Sequence, residues 1–186
     1  GYKSMRRASV LIPLVKDNGK YSILFELRSK KMRRQPGEIS FPGGGIESNE
    51  TPREACIRET CEEIGTTEDN ITIISPLDIY VSHANLIIHP YLGEIKDISD
   101  LNINKDEVDH IFLVPIDYLM KYDANIYTND VKVVPNEDFP YDKIPNKEKY
   151  EFAIGEYPVW FYEYKDYVIW GITARILENF LNFLKS

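Results

Sequence analysis

The chain has 186 residues, 43% of them hydrophobic, which is enough for a single globular domain, residues 1–186, with a sizeable core. It contains no apolar run long enough to span a bilayer, so we expect no membrane partner. With 22 Lys and Arg against 30 Asp and Glu, its net charge of −8 argues against binding along a nucleic-acid backbone.

Runs of apolar residues and turn signals predict a mixed α/β chain. Strands are expected at Arg7–Val15, Tyr21–Leu27, Ile71–Val81, Leu86–Ile95, Glu107–Val114, Ile126–Val134 and Val159–Ile169. The first two are expected to form a hairpin around Asn18-Gly19. Helices are expected at Pro115–Tyr122 and Ile172–Leu184. The segment Asn136–Lys149, rich in Pro, Asp and Lys, is predicted to be a loop near the functional site.

A further helix is predicted between Thr51 and Gly65. Thr51 is a suitable capping residue, Pro52 suits the first turn, and Gly65 is a typical stop. Apolar residues at helical spacing form a stripe on one side, at Ile57, Cys61 and Ile64. This side is expected to pack on a sheet.

Three carboxylates share another face of this predicted helix, because Glu59, Glu62 and Glu63 stand at i, i+3 and i+4. Like charges at this spacing repel unless a cation lies among them, and clustered carboxylate oxygens suit Mg²⁺ or Mn²⁺ better than Zn²⁺. The alternative is a solvated acidic face, in which Arg58 forms ordinary i,i+4 pairs with Glu54 and Glu62.

A glycine-rich segment, Phe41-Pro42-Gly43-Gly44-Gly45, precedes the helix. Successive glycines allow positive φ and close approach of a ligand to the backbone, so a glycine turn is expected here. Beside a carboxylate-lined helix, such a turn offers a metal ion a backbone carbonyl and holds a diphosphate close to it. The combination favours a metal and diphosphate site over an ordinary turn.

The spacing from Gly44 to Gly65 resembles the Nudix box: a glycine, five residues, Glu50, seven residues, Arg58-Glu59, two residues, Glu62-Glu63, one residue and a final glycine. Nudix hydrolases cleave diphosphate linkages of X-linked nucleoside diphosphates with Mg²⁺ or Mn²⁺. The resemblance implies an α/β/α sandwich with a mixed sheet. It also implies metal ligation by Glu59, Glu62, Glu63 and the backbone of Gly44, with Arg58 orienting Glu59 and Glu50 supporting the junction of loop and helix.

A second motif lies upstream, where Arg28-Ser29, Arg33, Gly37 and Phe41-Pro42-Gly43-Gly44 are in register. It resembles the signature of the coenzyme A diphosphatase branch of the family, except that Glu26 stands where that signature usually has Thr. The resemblance implies cleavage of coenzyme A, and of its thioesters, to 3′,5′-ADP and 4′-phosphopantetheine. It also implies substrate binding by Arg28, Arg33, Gly43 and Gly44.

Charge agrees with a polyanionic small ligand, since five cations lie within seven residues of an acidic chain, at Arg28, Lys30, Lys31, Arg33 and Arg34. The general base is left open between Glu59 and Glu107, because this branch commonly places a carboxylate beside the metals near position 107. The implied catalytic set is therefore Glu59, Glu63, Arg58 and Glu107.

Two other functions remain open. One is a Nudix enzyme acting on ADP-ribose, dinucleotide polyphosphates or nucleoside triphosphates, and the other is a non-catalytic nucleotide-binding regulator. Cys56 and Cys61 lack both metal-site spacing and a pairing geometry, so we expect small core residues and a reducing cytoplasm. A homodimer is compatible with the sequence.

Overall fold

The computed structural model describes residues 5–17 and 19–185. Within them the strands are β1 Arg6–Asp17, β2 Lys20–Arg28, β3 Ile39–Ser40, β4 Gly43–Gly45, β5 Ile71–Pro76, β6 Tyr80–Ser82, β7 Leu86–Ile95, β8 Val108–Pro115, β9 Asn125–Lys132, β10 Ile154–Tyr164 and β11 Tyr167–Trp170. The helices are α1 Pro52–Ile64, α2 Ile116–Leu119 and α3 Gly171–Lys185. Across the described ranges, no helix has the length and apolar character needed to cross a membrane.

Eight strands form one mixed sheet with β1 at its centre. One edge of β1 pairs in parallel with β7, and the other pairs in an antiparallel sense with β2. β8 continues the sheet beyond β2, while β5 and β6 both pair with the far edge of β7. The predicted hairpin of the first two strands is confirmed, although Asn18 of its turn lies outside the described residues.

The chain between Ile39 and Gly45 fills a gap between β1 and β2. Their pairing stops at Ile23, and beyond it β3 pairs with β2 while β4 pairs with β1. Pro13 lies between these two registers of β1, so its missing N–H removes no ladder hydrogen bond to either partner. The glycine triplet, predicted as a turn, is therefore a short strand, and it packs against α1.

Alternate residues of the strands face two separate cores, as the period of a strand requires. Leu11 of β1 and Leu24 of β2 pack with the apolar side of α1. Their neighbours Ile12 and Phe25 point to the opposite face and pack with α3. A helix thus covers each face of the sheet, which confirms the predicted α/β/α sandwich.

Local signals fix both ends of α1. The Thr51 hydroxyl accepts the Glu54 backbone N–H, while the Glu54 carboxylate accepts the Thr51 N–H, which is a capping box. Pro52 occupies the first turn. Gly65 ends the helix in the left-handed conformation, at φ 68°, and donates its N–H to the Cys61 carbonyl. The predicted helix is confirmed at both boundaries.

Two of the predicted strands are each interrupted in the structure, so their prediction as single strands is wrong. The run Ile71–Val81 is two strands, because β5 ends at Pro76 and the chain resumes pairing with β7 only in β6. The run Val159–Ile169 contains the turn between β10 and β11, where Lys165 has a positive φ of 53°. The predicted helix Pro115–Tyr122 is shorter, since only the four residues of α2 are α-helical.

The remaining strands, β9, β10 and β11, form a separate three-stranded sheet. The segment Asn136–Lys149 between β9 and β10 is a loop with two short 3₁₀ turns, which confirms the predicted loop, while its place near the functional site stays a prediction. The ring of Tyr167 in β11 stacks on Phe112 of β8 at a centroid distance of 3.8 Å, which joins the two sheets. The chain then turns directly into α3.

Candidate active site

Arg58 connects α1 to the loop that precedes it. Its Nε and Nη2 donate to the two carboxylate oxygens of Glu50 at 3.1 and 2.7 Å, and Nη2 also donates to the Gly45 carbonyl at 3.1 Å. Its Nη1 donates to Glu59 at 3.0 Å and to Glu62 at 3.2 Å. The hydrogen bonds from Arg58 hold the pKa of Glu50 below its usual range. These contacts are the ones that a positioning role for Arg58 requires.

Glu59 lies directly against the backbone of Gly44. A Cβ atom built on Gly44 would stand 2.3 Å from Glu59 Oε2 and 2.4 Å from its Cδ, so only glycine allows this contact. Burial raises the pKa of Glu59, and the hydrogen bond from Arg58 opposes that rise. Glu62, one turn further on, is more than half exposed, with 57% of its side-chain surface accessible.

Glu63 is the most enclosed carboxylate of α1, with only 3% of its surface exposed. Its Oε2 accepts the backbone N–H of Gly43 at 2.7 Å. Burial raises its pKa well above the ordinary value, and the neighbouring carboxylate of Glu26 raises it further. Two carboxylates of α1, those of Glu59 and Glu63, therefore contact the backbone of β4, the strand formed by the glycine triplet.

Glu26 is the residue of this site that sequence reasoning missed. It lies in β2, fully buried, two residues after Leu24 and therefore on the face that α1 covers. Its Oε1 accepts the Ser40 hydroxyl at 2.8 Å, and its Oε2 has no hydrogen-bond partner among the described residues. Burial raises its pKa to about 7. The available signal was a carboxylate within the apolar run Ile23–Leu27.

Glu107 lies close enough to the cluster to act on it electrostatically. Its charge raises the pKa of both Glu59 and Glu26, and its carbonyl accepts the Ser29 N–H at 2.7 Å. The structure thus brings Glu107 near the carboxylates of α1, as the sequence led us to expect. Its catalytic role stays a prediction.

The basic segment after β2 contributes one enclosed cation and several exposed ones. Arg28 is half-buried, and its charge lowers the pKa of Glu26 and Glu63. Its Nε is buried and has no hydrogen-bond partner in the part of the chain that the structure describes. Lys31 is exposed and pairs with Asp106 at 2.8 Å. Arg33 is also exposed, and the structure does not bring it into contact with the carboxylates described here. Of the two predicted arginines, only Arg28 lies in the cluster.

The donor set suits a hard divalent cation. The cluster is made of carboxylate oxygens, it includes the orphaned Oε2 of Glu26, and burial together with mutual repulsion raises pKa values within it. In the described part of the chain, however, no three His, Cys, Asp or Glu side chains already stand together as a metal-binding group. Arg58 donates to one oxygen of Glu59 and to one oxygen of Glu62, so the second oxygen of each carboxylate can bind an ion while Arg58 keeps its hydrogen bonds.

We expect the metal-free protein to lose stability as pH rises from about 5 to about 8. Burial raises the pKa of Glu26 from 4.5 to about 7. The charged or polar groups around Glu26 are the carboxylates of Glu63 and Glu107, the hydroxyl of Ser40, which donates to it, and the guanidinium of Arg28. Between these two values the folded chain keeps a proton that the unfolded chain has released. The contribution of Glu26 to stability is therefore fully present below pH 4.5 and is lost as the pH rises through about 7.

The predicted loss is on the order of 1–3 kcal/mol, and melting temperatures in EDTA across this pH range measure it. Glu26→Gln has no such proton to lose, so its melting temperature should vary less with pH. Equal slopes for the two proteins would contradict the prediction.

Comparison with known proteins identifies the family. A family model described as "NUDIX domain" matches residues 5–137. Nudix hydrolase 3 of Caenorhabditis elegans is 32% identical over 180 residues, which cover 95% of this chain and 72% of that protein. The protein named peroxisomal coenzyme A diphosphatase in Mus musculus is 36% identical over 118 residues, which cover 63% of this chain and 50% of that protein.

A solved structure extends the likeness to the fold. The crystal structure of a C. elegans Ap4A hydrolase binary complex aligns with a TM-score of 0.51 and 22% identity, over 62% of this chain and 84% of that one. At this identity the likeness concerns the fold alone. With a family match over most of its length and the box residues gathered between α1 and β4, the chain belongs to the Nudix hydrolases, enzymes that generally use divalent metal ions.

Proposed function

We propose that this protein hydrolyses the diphosphate bond of coenzyme A, and of its thioesters, to 3′,5′-ADP and 4′-phosphopantetheine, with Mg²⁺ or Mn²⁺ as cofactor. The observation that carries the proposal is the register of Arg28-Ser29, Arg33, Gly37 and Phe41 to Gly44 with the signature of that branch. The relative named coenzyme A diphosphatase supports it, although this chain spans only half of that protein's length.

The geometry around Arg28 agrees with an anionic substrate. A buried guanidinium Nε without a partner is costly unless a ligand supplies the acceptor, and a phosphate oxygen is a suitable one. The same charge acts on Glu26 and Glu63, so a phosphate bound by Arg28 lies beside the carboxylates of α1. We assign the backbone of Gly43 and Gly44 to substrate binding as well, because Gly44 lies directly against Glu59 and a diphosphate bound there is close to the carboxylates.

We assign the metal ligands to Glu59, Glu62 and Glu63, with the carbonyl of Gly44 as a further oxygen. Gly44 pairs with Ser9 of β1, but its carbonyl oxygen has two lone pairs and can accept a hydrogen bond while it binds a metal ion. When bound, the divalent cation neutralises charge on the diphosphate and lowers the pKa of a coordinated water.

Other residues position the metal ligands and accept the proton of the attacking water. Arg58 orients Glu59 and is itself held by both oxygens of Glu50. Glu59 or Glu107 accepts the proton of the attacking water.

The direct test is incubation with coenzyme A and Mg²⁺ or Mn²⁺, followed by chromatographic detection of 3′,5′-ADP. We expect product only when metal is added, and none in EDTA. A panel of ADP-ribose, diadenosine tetraphosphate and ATP separates the other Nudix specificities, and a preference for one of these would overturn the substrate assignment. Tight nucleotide binding without turnover of any of them would indicate a regulator.

Replacing Arg33 with Ala tests recognition of the 3′-phosphate. If this exposed guanidinium meets that phosphate when substrate binds, the change should raise KM for coenzyme A roughly ten- to a hundredfold, since a charged hydrogen bond is worth about 1.5–3 kcal/mol. The KM for 3′-dephospho-coenzyme A should stay near the wild-type value. Steady-state kinetics with the two substrates measure the difference.

Arg34→Ala is the matched control, because Arg34 is the adjacent exposed arginine and stands outside the signature. It should leave both KM values nearly unchanged. Equal losses on the two substrates in Arg33→Ala would assign that side chain to the diphosphate or to the shape of the loop.

We further propose that residues 1–186 act as one hydrolase domain in a reducing compartment such as the cytoplasm. Cys56 and Cys61 are free thiols, and Cys56 is buried, which fits reducing surroundings. The mouse relative carries a peroxisomal name, so cell fractionation is the test of location. Light scattering of the purified chain distinguishes a monomer from a homodimer.

A further inference from the structure

Glu26 occupies a position where a charge is costly. The side chain is fully buried in β2, and its strand neighbours Phe25 and Leu24 belong to the two cores. A carboxylate in such a place requires partners for both oxygens, since each unsatisfied polar atom costs free energy. In residues 5–17 and 19–185, only Oε1 has a partner, the hydroxyl of Ser40.

The hydrogen bond with Ser40 does not explain why an acidic residue occupies position 26. The branch signature usually has Thr at this position, and a threonine hydroxyl is also able to pair with a serine hydroxyl without burying an anion. The charge of Glu26 is opposed by two further carboxylates, Glu63 and Glu107. Keeping these three acidic groups ionised side by side requires a compensating cation.

The protein supplies that cation only in part. Arg28 lies close enough to favour the charged forms of Glu26 and Glu63, yet its buried Nε donates to no group in the described residues. Glu63 takes one backbone N–H, that of Gly43, and Glu26 takes none. The Oε2 of Glu26 is thus a hard oxygen ligand buried near Glu63, and no N–H or O–H group of the described residues donates to it.

We propose that Glu26 is an additional ligand for the divalent cation in this chain, binding Mg²⁺ or Mn²⁺ through Oε2 together with Glu63. The inference rests on the metal assignment under the proposed function and adds a donor from the sheet to those of α1. A ligand on β2 is held more rigidly than the exposed Glu62, because the strand is buried on both faces.

Titration calorimetry with Mn²⁺, supported by the electron paramagnetic resonance signal of free Mn²⁺, tests the proposal without any substrate. Glu26→Gln keeps the shape and removes the charge, and Glu26→Thr restores the usual residue of the branch. We expect both to bind Mn²⁺ about 10- to 100-fold more weakly than wild type, or to bind one equivalent fewer. Glu68→Gln, which alters an exposed carboxylate beyond α1, should bind like wild type.

A second measurement separates lost ligation from lost folding. The melting temperature in EDTA should be equal or higher in Glu26→Gln, because an unpaired buried carboxylate is removed without a change in size, while the rise on adding Mn²⁺ should shrink in both variants. Unchanged Mn²⁺ affinity and stoichiometry in both variants would overturn the role of Glu26 and leave the box ligands standing. If wild type itself fails to bind Mn²⁺, the metal assignment of the proposed function fails as well.

Discussion

Glu63→Gln should lower kcat with coenzyme A by about two to four orders of magnitude, the range for losing a positioned catalytic group. The substitution keeps the size of the side chain and removes an anionic metal ligand. Gly43 still has an oxygen acceptor at this position, so the glycine strand should keep its place. Steady-state turnover in saturating Mg²⁺ measures the effect.

Stability provides the check that Glu63→Gln acts on chemistry. Burial raises the pKa of Glu63, so removing its charge should leave the melting temperature in EDTA unchanged or higher. Glu68→Gln is the control for a carboxylate outside the site and should turn over like wild type. Turnover of Glu63→Gln within tenfold of wild type would refute the metal assignment.

Gly44→Ala should lower kcat about a hundredfold while leaving the chain folded. The added methyl group would overlap the Glu59 carboxylate, at 2.3 Å from Oε2, so Glu59 must move. Only the tip of one side chain has to shift, which costs little stability. Displacing a catalytic group by about 1 Å, however, can cost about a hundredfold in rate.

Gly45→Ala is a closely matched control, because a Cβ at the adjacent glycine meets no atom within 4 Å. It should keep nearly full turnover. Turnover and melting temperature of the two variants are measured together. Comparable turnover in Gly44→Ala and Gly45→Ala would show that the position of Glu59 against the glycine strand is not needed for catalysis.

Local chemistry explains why α1 could be predicted to the residue. Thr51 and Gly65 satisfy the backbone groups at the two helix ends through contacts within a few residues, so both signals are readable in the sequence. The shared face of Glu59 and Glu63 follows from helical spacing in the same way. The Asn18-Gly19 signal likewise predicted that β1 and β2 pair as a hairpin, although not that β7 and β8 are their other partners.

The unpredicted part of the site depends on contacts between distant segments. Glu26 becomes important because β3 brings Ser40 beside it and α1 brings Glu63, and no local pattern records either approach. The glycine triplet is a strand only because β1 offers an unpaired edge at Ser9. The hairpin turn at Lys165 was missed because lysine is an unusual residue for a left-handed turn position.

The parallel pairing of β1 with β7 has a consequence for synthesis of the chain. β1 and β7 are separated by about 70 residues, so at ~5–20 residues per second the ribosome makes β7 several seconds after β1. β2, β4 and α1 emerge in that interval and cover one edge and one face of β1. Its other edge stays open until Leu86–Ile95 arrives, which makes the nascent chain most prone to aggregation just before the parallel strand is in place.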